Sequence, residues 1–383
     1  MFKRILFAVL IAVLAIVCGV AVYLYSISDS RPDFANTPKN IECLSEKGVA
    51  CENSEQWLSN HYQNHPVPSI SALVTINGTT VWRGVIGRAD LANKKAATFD
   101  TQYPIGSISK SLTAVATLNL QQTGQINIDD DFQRYANDYP TKHERFTLKQ
   151  LLSHQAGIRH YNDELSESFN DIHYPNIKDA VGIVENDPLL FPPGTDFTYS
   201  SYAYSLVALA LERATKQDYP SIMQDTLFTP LAMEATRLNT LEKTAQQTQP
   251  YLVLGSLLIG APTIDYSNKY AGAGFLSTPS DLAKLGNALL NGSLLNEAST
   301  TLLFTPTKLD TGEMNPQNYA LGFRIDGEGD KQIYHHGGMI NGGYSYLAIY
   351  PEHQAVVVFS MNAVATDFDR QSEADTLLNY FIN

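Results

Sequence analysis

The sequence predicts an α+β fold, with an antiparallel sheet built from N- and C-terminal segments, flanking helices, a mainly helical second lobe, and one transmembrane helix ahead of it all. Three observations lead there. Short β-branched runs lie near both ends, helical periodicity fills the middle, and an apolar stretch of membrane-crossing length opens the chain.

The 383 residues, 44% of them hydrophobic, suffice for one large core or two smaller ones. The formal charge of -13, with only isolated basic pairs at Lys3-Arg4 and Lys94-Lys95, excludes an electrostatic footprint for nucleic acid. Residues Ile5 to Ile27 run almost without a polar side chain. At about 1.5 Å per residue they can cross a hydrocarbon layer of roughly 30 Å. Lys3 and Arg4 before the run keep the N-terminus inside and send the body to the outer side, periplasmic or extracellular. The run exceeds a signal-peptide core and lacks an Ala-x-Ala pair near its end, so residues 1–27 read as an uncleaved single-pass anchor, with a cleaved signal as the alternative. Cys18 then lies in the membrane.

Residues 28–66 are polar and broken by Pro32, Pro38 and Pro66, and read as a stalk with a short helix near Glu55 to Tyr62. An oxidising compartment would permit a Cys43–Cys51 disulfide there. The main globular domain spans 67–383. It opens with a hairpin, Ser69 to Ile76 and Thr80 to Ile86 around Asn77-Gly78. Apolar residues lie densely from Ser107 to Gln122, predicting a buried helix that Gly124 stops. Helical patterns return over Leu148 to Leu152, Tyr202 to Thr215 and Ser280 to Leu290, giving a helical lobe over roughly 112–315. Strand patterns at Tyr344 to Tyr350 and Ala355 to Met361 precede a closing helix, Asp369 to Phe381. A cleft between sheet and lobe is the natural ligand site.

Three segments carry chemistry. Ser107 and Lys110 stand three apart at a helix start, on one face within one turn. A serine hydroxyl is a poor nucleophile until a neighbour takes its proton, and a helix N-terminus offers amide donors to a developing oxyanion. Phe191 to Ser201 is a breaker-rich loop that brings Tyr199 to a loop-helix junction. His335-His336-Gly337-Gly338-Met339 opens the late strand region, where paired glycines let a substrate approach the backbone. Each segment alone also fits a structural role: a solvent-facing lysine, a tyrosine packed under its loop, a Gly-rich turn. No His-x-His, His-Glu-x-x-His or Cys-x-x-Cys spacing suggests a metal, and no cofactor is expected.

Taken together, Ser107-x-x-Lys110, Tyr199-x-Ser201 and His336-Gly337-Gly338 resemble, in order and separation, the three motifs of class C β-lactamases, DD-peptidases and related esterases. Gly124 to Asp130, Leu151 to Ile158 and Gly272 to Leu282 resemble further blocks of that family, and Gly157-Ile158-Arg159-His160-Tyr161 is similar to the branch of mitochondrial serine β-lactamase-like proteins and their bacterial relatives. The resemblance covers roughly residues 67–383 and implies the β-lactamase/transpeptidase-like architecture. It also implies that Ser107 is acylated, that Lys110 holds or accepts its proton, and that Tyr199 is a general base whose pKa Lys110 pulls down. The backbone N–H groups of Ser107 and Met339 would form the oxyanion hole, with Ser201, His336, Gly337 and Gly338 binding substrate.

Two departures matter. Ser201 stands where the β-lactamases have Asn, and His336, with His335 as the alternative, stands where they have Lys, removing a permanent cation facing the substrate. The expected activity is therefore a serine hydrolase acting on an ester, amide or peptide rather than an efficient β-lactamase. The competing expectation is a non-hydrolytic receptor or scaffold that binds penicillins or peptidoglycan fragments in the same cleft. Expected partners are a small-molecule or peptide substrate and the membrane. An α/β-hydrolase is excluded by the lack of Gly-x-Ser-x-Gly.

Overall fold

A computed structural model describes residues 13, 16–20, 22–142, 144–162 and 167–383. Residues 16–20 and 22–26 are helical and carry exposed apolar side chains, and strand β1 (Ser28–Asp29) follows. No helix among the described residues is long and apolar enough to cross a membrane, and the span expected from Ile5 begins outside them.

The expected stalk is instead part of the body. Strand β2 (Lys39–Cys43) pairs antiparallel with β4 (Thr79–Asp90), from Lys39 opposite Ile86 to Cys43 opposite Trp82. Helix α1 (Gly48–Asn64) is longer than expected and buries Trp57, Leu58 and Tyr62. Its polar majority faces outward, so a few large side chains on one stripe dock a helix whose composition resembles a linker. A Cys43–Cys51 disulfide ties α1 to β2.

Strand β3 (Ser69–Ile76) forms the expected hairpin with β4, and two short strands follow, β5 (Lys95–Ala96) and β6 (Tyr103–Pro104). The helical lobe contains α2 (Ile108–Gln122), α3 (Leu148–Leu152), α4 (Ile177–Val181), α5 (Ser201–Thr215) and α6 (Tyr219–Met223). Strands β7 (Arg237–Leu238), β8 (Tyr251–Leu254) and β9 (Leu257–Gly260) come next, then α7 (Tyr270–Ala273) and β10 (Phe275–Ser277). Helices α8 (Pro279–Leu290) and α9 (Glu297–Phe304) lead to β11 (Arg324–Asp326), β12 (Ile333–Ile340), β13 (Gly343–Tyr350), β14 (Ala355–Met361) and α10 (Arg370–Ile382).

The main sheet runs β11-β12-β13-β14-β3-β4-β2, with β5 added to β4, and every pairing is antiparallel. The C-terminal β14 lies against the N-terminal β3, Ala355 opposite Ile76 and Met361 opposite Ile70. One face packs on the helical lobe through Leu73, Leu347, Ile349, Val356 and Val358. The other packs on α1 and α10 through Val74, Tyr346, Val357 and Phe359. Because both faces are covered, β13 and β14 are buried at every position, which is why Ala355 to Met361 reads as a nearly continuous apolar run rather than an alternating one. The functional residues lie where α2 begins, between this sheet and the lobe.

Candidate active site

Gly106 has φ +49°, and a Cβ there would fall 2.6 Å from the Met339 nitrogen. Only glycine can make this turn so close to β12. Ser107 follows as the N-cap of α2, yet its side chain makes no capping bond, so the hydroxyl is left for other work. Lys110, one turn on, is fully buried; its Nζ donates to Ser201 Oγ at 2.9 Å and the Gly272 carbonyl at 2.8 Å, and lies at hydrogen-bond distance, 3.2 Å, from Ser107 Oγ. Burial, and then the nearby Arg324 guanidinium, hold the Lys110 pKa well below the usual range. A neutral amine fits these three partners. Its two N–H bonds satisfy Gly272 and Ser201, and its lone pair accepts from Ser107.

Tyr199 precedes α5, and the Lys110 Nζ lies 4.6 Å from the centroid of its ring. Two histidines fix that approach. The Ser200 N–H donates to His154 Nδ1 at 3.2 Å and the Ser201 N–H to His160 Nδ1 at 3.1 Å, while the His154 ring packs 4.4 Å from that of Tyr199. Ser200 itself caps the helix by accepting from the Ala203 N–H. Burial pushes the Tyr199 phenol up to about 12, opposed by Ser107 and more weakly by Arg324 and Arg370. The expected downward pull from Lys110 is absent, and desolvation sets the direction of the shift.

Strand β11 pairs with β12 only at Ile333 to His335, so the β12 edge is open from His336 onward, alongside Ser107. A Cβ on Gly338 would overlap the Ile105 carbonyl and lie 3.2 Å from the Ser107 nitrogen. The two glycines thus bring the Ser107 and Met339 amides to the same place, and the Met339 side chain points outward.

His336 is the member of the His pair that faces Tyr199, its ring 6.3 Å away, whereas His335 turns to Asp326. Both His336 nitrogens are engaged, Nδ1 with the Gly337 carbonyl at 2.8 Å and Nε2 with the Tyr319 hydroxyl at 3.1 Å. Burial, then Arg324 and Lys110, keep its pKa well below the usual value, so the ring is neutral. Ser201 is 3% exposed, accepts from Lys110, and is not among the residues that line the cavity over Ser107. Gly337 leaves room for the Arg370 guanidinium.

A cavity of about 660 Å³ opens over Ser107, Tyr199, Met339, His160, Arg324 and Arg370 among its lining residues. The last three carry no assigned role in the sequence reading. His160 accepts a backbone N–H at Nδ1, which puts its proton on Nε2, toward the cavity, and burial lowers its pKa to about 4. Its loop is clamped by Arg159, which bonds Glu167 and Asp187 at 2.9 and 2.6 Å, and by buried Lys269, which donates to the Glu167 and Ser168 carbonyls. Arg324 and Arg370 form no salt bridge among the described residues.

A family model described as Beta-lactamase matches residues 55–380. The serine β-lactamase-like protein LACTB of Homo sapiens, a mitochondrial protein, is 28% identical over 312 residues, covering 63% of this chain and 57% of that one. The protein flp of Staphylococcus aureus is 26% identical over 319 residues, covering 80% and 62%. This chain therefore spans less than two thirds of the length of either relative. The crystal structure of the D-amino acid amidase of Ochrobactrum anthropi complexed with L-phenylalanine amide superposes with a TM-score of 0.74 at 21% identity, over 88% of this chain and 98% of that one. That likeness is one of fold.

Proposed function

The chain belongs to the Beta-lactamase family, and from that premise we propose that it is a membrane-anchored serine hydrolase acting through an acyl-enzyme on an ester, amide or peptide outside the cytoplasmic membrane. The observation that carries the reading is the 3.2 Å contact between the buried Lys110 amine and the Ser107 hydroxyl. Neutral Lys110 takes the Ser107 proton as Oγ attacks the substrate carbonyl. The resulting oxyanion sits between the Ser107 and Met339 N–H groups, each worth about 3 kcal/mol in such a site. As the tetrahedral intermediate collapses, the leaving group takes a proton from Tyr199, which its raised pKa keeps protonated until then, and the phenolate recovers one from the adjacent Lys110 ammonium, returning the amine to its neutral form. Water then attacks the acyl ester, giving up its proton to the same relay, and the acid is released with Ser107 restored.

The substrate carries an acidic group. The lysine that the resemblance would place at His336 is missing, but Arg324 and Arg370 restore positive charge to that wall in a chain of net charge -13. Two guanidiniums that form no salt bridge among the described residues, with the nearby Asp369 carboxylate engaged in capping α10, suit a substrate carboxylate. Export is supported by the apolar run after Lys3-Arg4 and by the Cys43–Cys51 disulfide, which suits an oxidising compartment.

A fluorophosphonate probe tests the nucleophile. Wild type should be labelled and Ser107→Ala should not; equal labelling of both would overturn the assignment. Release of many equivalents of product per protein from a p-nitrophenyl ester separates the hydrolase from a receptor that binds without turnover.

A further inference from the structure

Hairpin β8–β9 breaks the alternation expected of a strand pair lying on a protein surface. Leu252 is opposite Ile259 and Leu254 opposite Leu257, so these four side chains share one face. Tyr251 and Leu258 point the other way and are buried. A face left to water would be polar, with the apolar residues confined to the inner side. Here the outer face is aliphatic throughout: Leu252 and Leu254 are 38% and 52% exposed, and Leu257 and Ile259 are half-buried. Contiguous exposed apolar surface of this kind marks a contact with something other than water.

The chain itself indicates what covers it. Strand β1 pairs with β9, Ser28 opposite Ile259 and Asp29 opposite Leu258. Just before it, Val20, Val22, Tyr23 and Tyr25 lie exposed on the N-terminal helix. Neighbouring strands sit about 4.8 Å apart, so the apolar helix and the apolar hairpin leave the body at the same edge. A helix that enters a bilayer at Ile27 puts β1 at the membrane surface, and the pairing of β1 with β9 holds the hairpin at that depth.

We infer that the outer face of β8–β9 rests in the boundary between lipid headgroups and acyl chains, giving the body a second attachment to the membrane beside its anchor. This rests on the membrane-anchor reading above. An apolar face of this size enters that boundary by about 5–10 Å. The contact also orients the site. The turn after β12 packs on the base of the hairpin, where Asn341 Nδ2 donates to the Pro262 carbonyl at 2.9 Å, two residues beyond Met339. The oxyanion strand therefore runs toward the membrane-facing surface.

The test uses the full chain reconstituted in phosphatidylethanolamine/phosphatidylglycerol vesicles with Leu254→Trp, against the buried background of Trp57 and Trp82. Thr311→Trp, in an exposed loop of the helical lobe, serves as control. The Leu254→Trp protein should float with the vesicles, emit at shorter wavelength than the control, and lose about half its added fluorescence or more to lipids brominated on their acyl chains, while the control keeps its own. Flotation with no quenching at position 254, or equal quenching at both positions, overturns the hairpin contact but leaves the anchor standing. Failure to float overturns the anchor, and the hairpin contact with it.

Discussion

Lys110 holds Ser201 more closely than it holds Ser107: its Nζ lies 2.9 Å from the first hydroxyl and 3.2 Å from the second. Ser201 and the Gly272 carbonyl therefore aim the amine, and Ser107 meets what remains of its hydrogen-bonding capacity. Ser201→Ala removes one of these two restraints, a bond worth about 1 kcal/mol. Expected is a fall in kcat of about 10-fold with KM little changed, and slower but complete labelling of Ser107. An unchanged kcat would show that the hydroxyl does not position Lys110.

The pH profile separates the roles of lysine and tyrosine. Lys110 can accept a proton only when neutral, and its pKa lies well below the usual lysine value, so activity should rise with pH as the ammonium loses its proton. Tyr199, pushed up to about 12, stays protonated across the working range and adds no limb there. In Tyr199→Phe the plateau of kcat/KM should drop by about 100-fold while the acid limb stays in place. Disappearance of that limb would reassign it to the phenol.

Gly338→Ala tests the oxyanion hole. The added methyl would overlap the Ile105 carbonyl and push β12 away from the Ser107 amide. Losing the Met339 donor should reduce kcat by about 100-fold or more. The fold should survive, since overpacking of this size costs about 1–3 kcal/mol, and thermal unfolding measures that part separately. Full activity in a folded variant would place the oxyanion elsewhere.

Arg370→Ala should discriminate between substrates. A charged hydrogen bond is worth about 1.5–3 kcal/mol, so kcat/KM for an ester bearing a free carboxylate should fall by about 10- to 100-fold. Its uncharged counterpart should change by less than about 3-fold. Equal losses on both would mean that Arg370 supports the strand under Gly337 and does not read the substrate.

The Cys43–Cys51 disulfide closes a short loop over a sequence separation of 8 residues. Cys43→Ser with Cys51→Ser should destabilise the protein by about 2.5 kcal/mol through the entropy returned to the unfolded chain. Thermal unfolding with and without reductant measures it, and reductant should leave the double variant unchanged.

Features set by neighbouring residues were legible in the sequence. The Ser107–Lys110 spacing, the Asn77-Gly78 turn and the run Ala355 to Met361 each report local geometry, and the strands and helices they announce lie where expected. Tyr199 needed the family resemblance, because nothing near it in sequence says that it will meet Lys110. Arg324 and Arg370 leave no mark in the sequence because they reach the cleft from β11 and α10, elements that carry no motif. His160 lies in a block that resembles the family, yet its role as acceptor of the Ser201 N–H depends on a loop folding back across α5. Strand β2, read as stalk, was hidden by its polar edge position. The direction of the Tyr199 shift was not legible either, since burial is a property of the assembled fold.

The register between β3 and β14 bears on how this protein is made. A ribosome delivers the first of these strands long before the second, and until the last stretch of polypeptide arrives β3 has no partner on that side. Loop closure over roughly three quarters of the chain makes such a pairing slow, and the waiting strands are open to wrong associations. A protein cut short before Ala355 should accumulate as a protease-sensitive, inactive precursor, however intact its nucleophile.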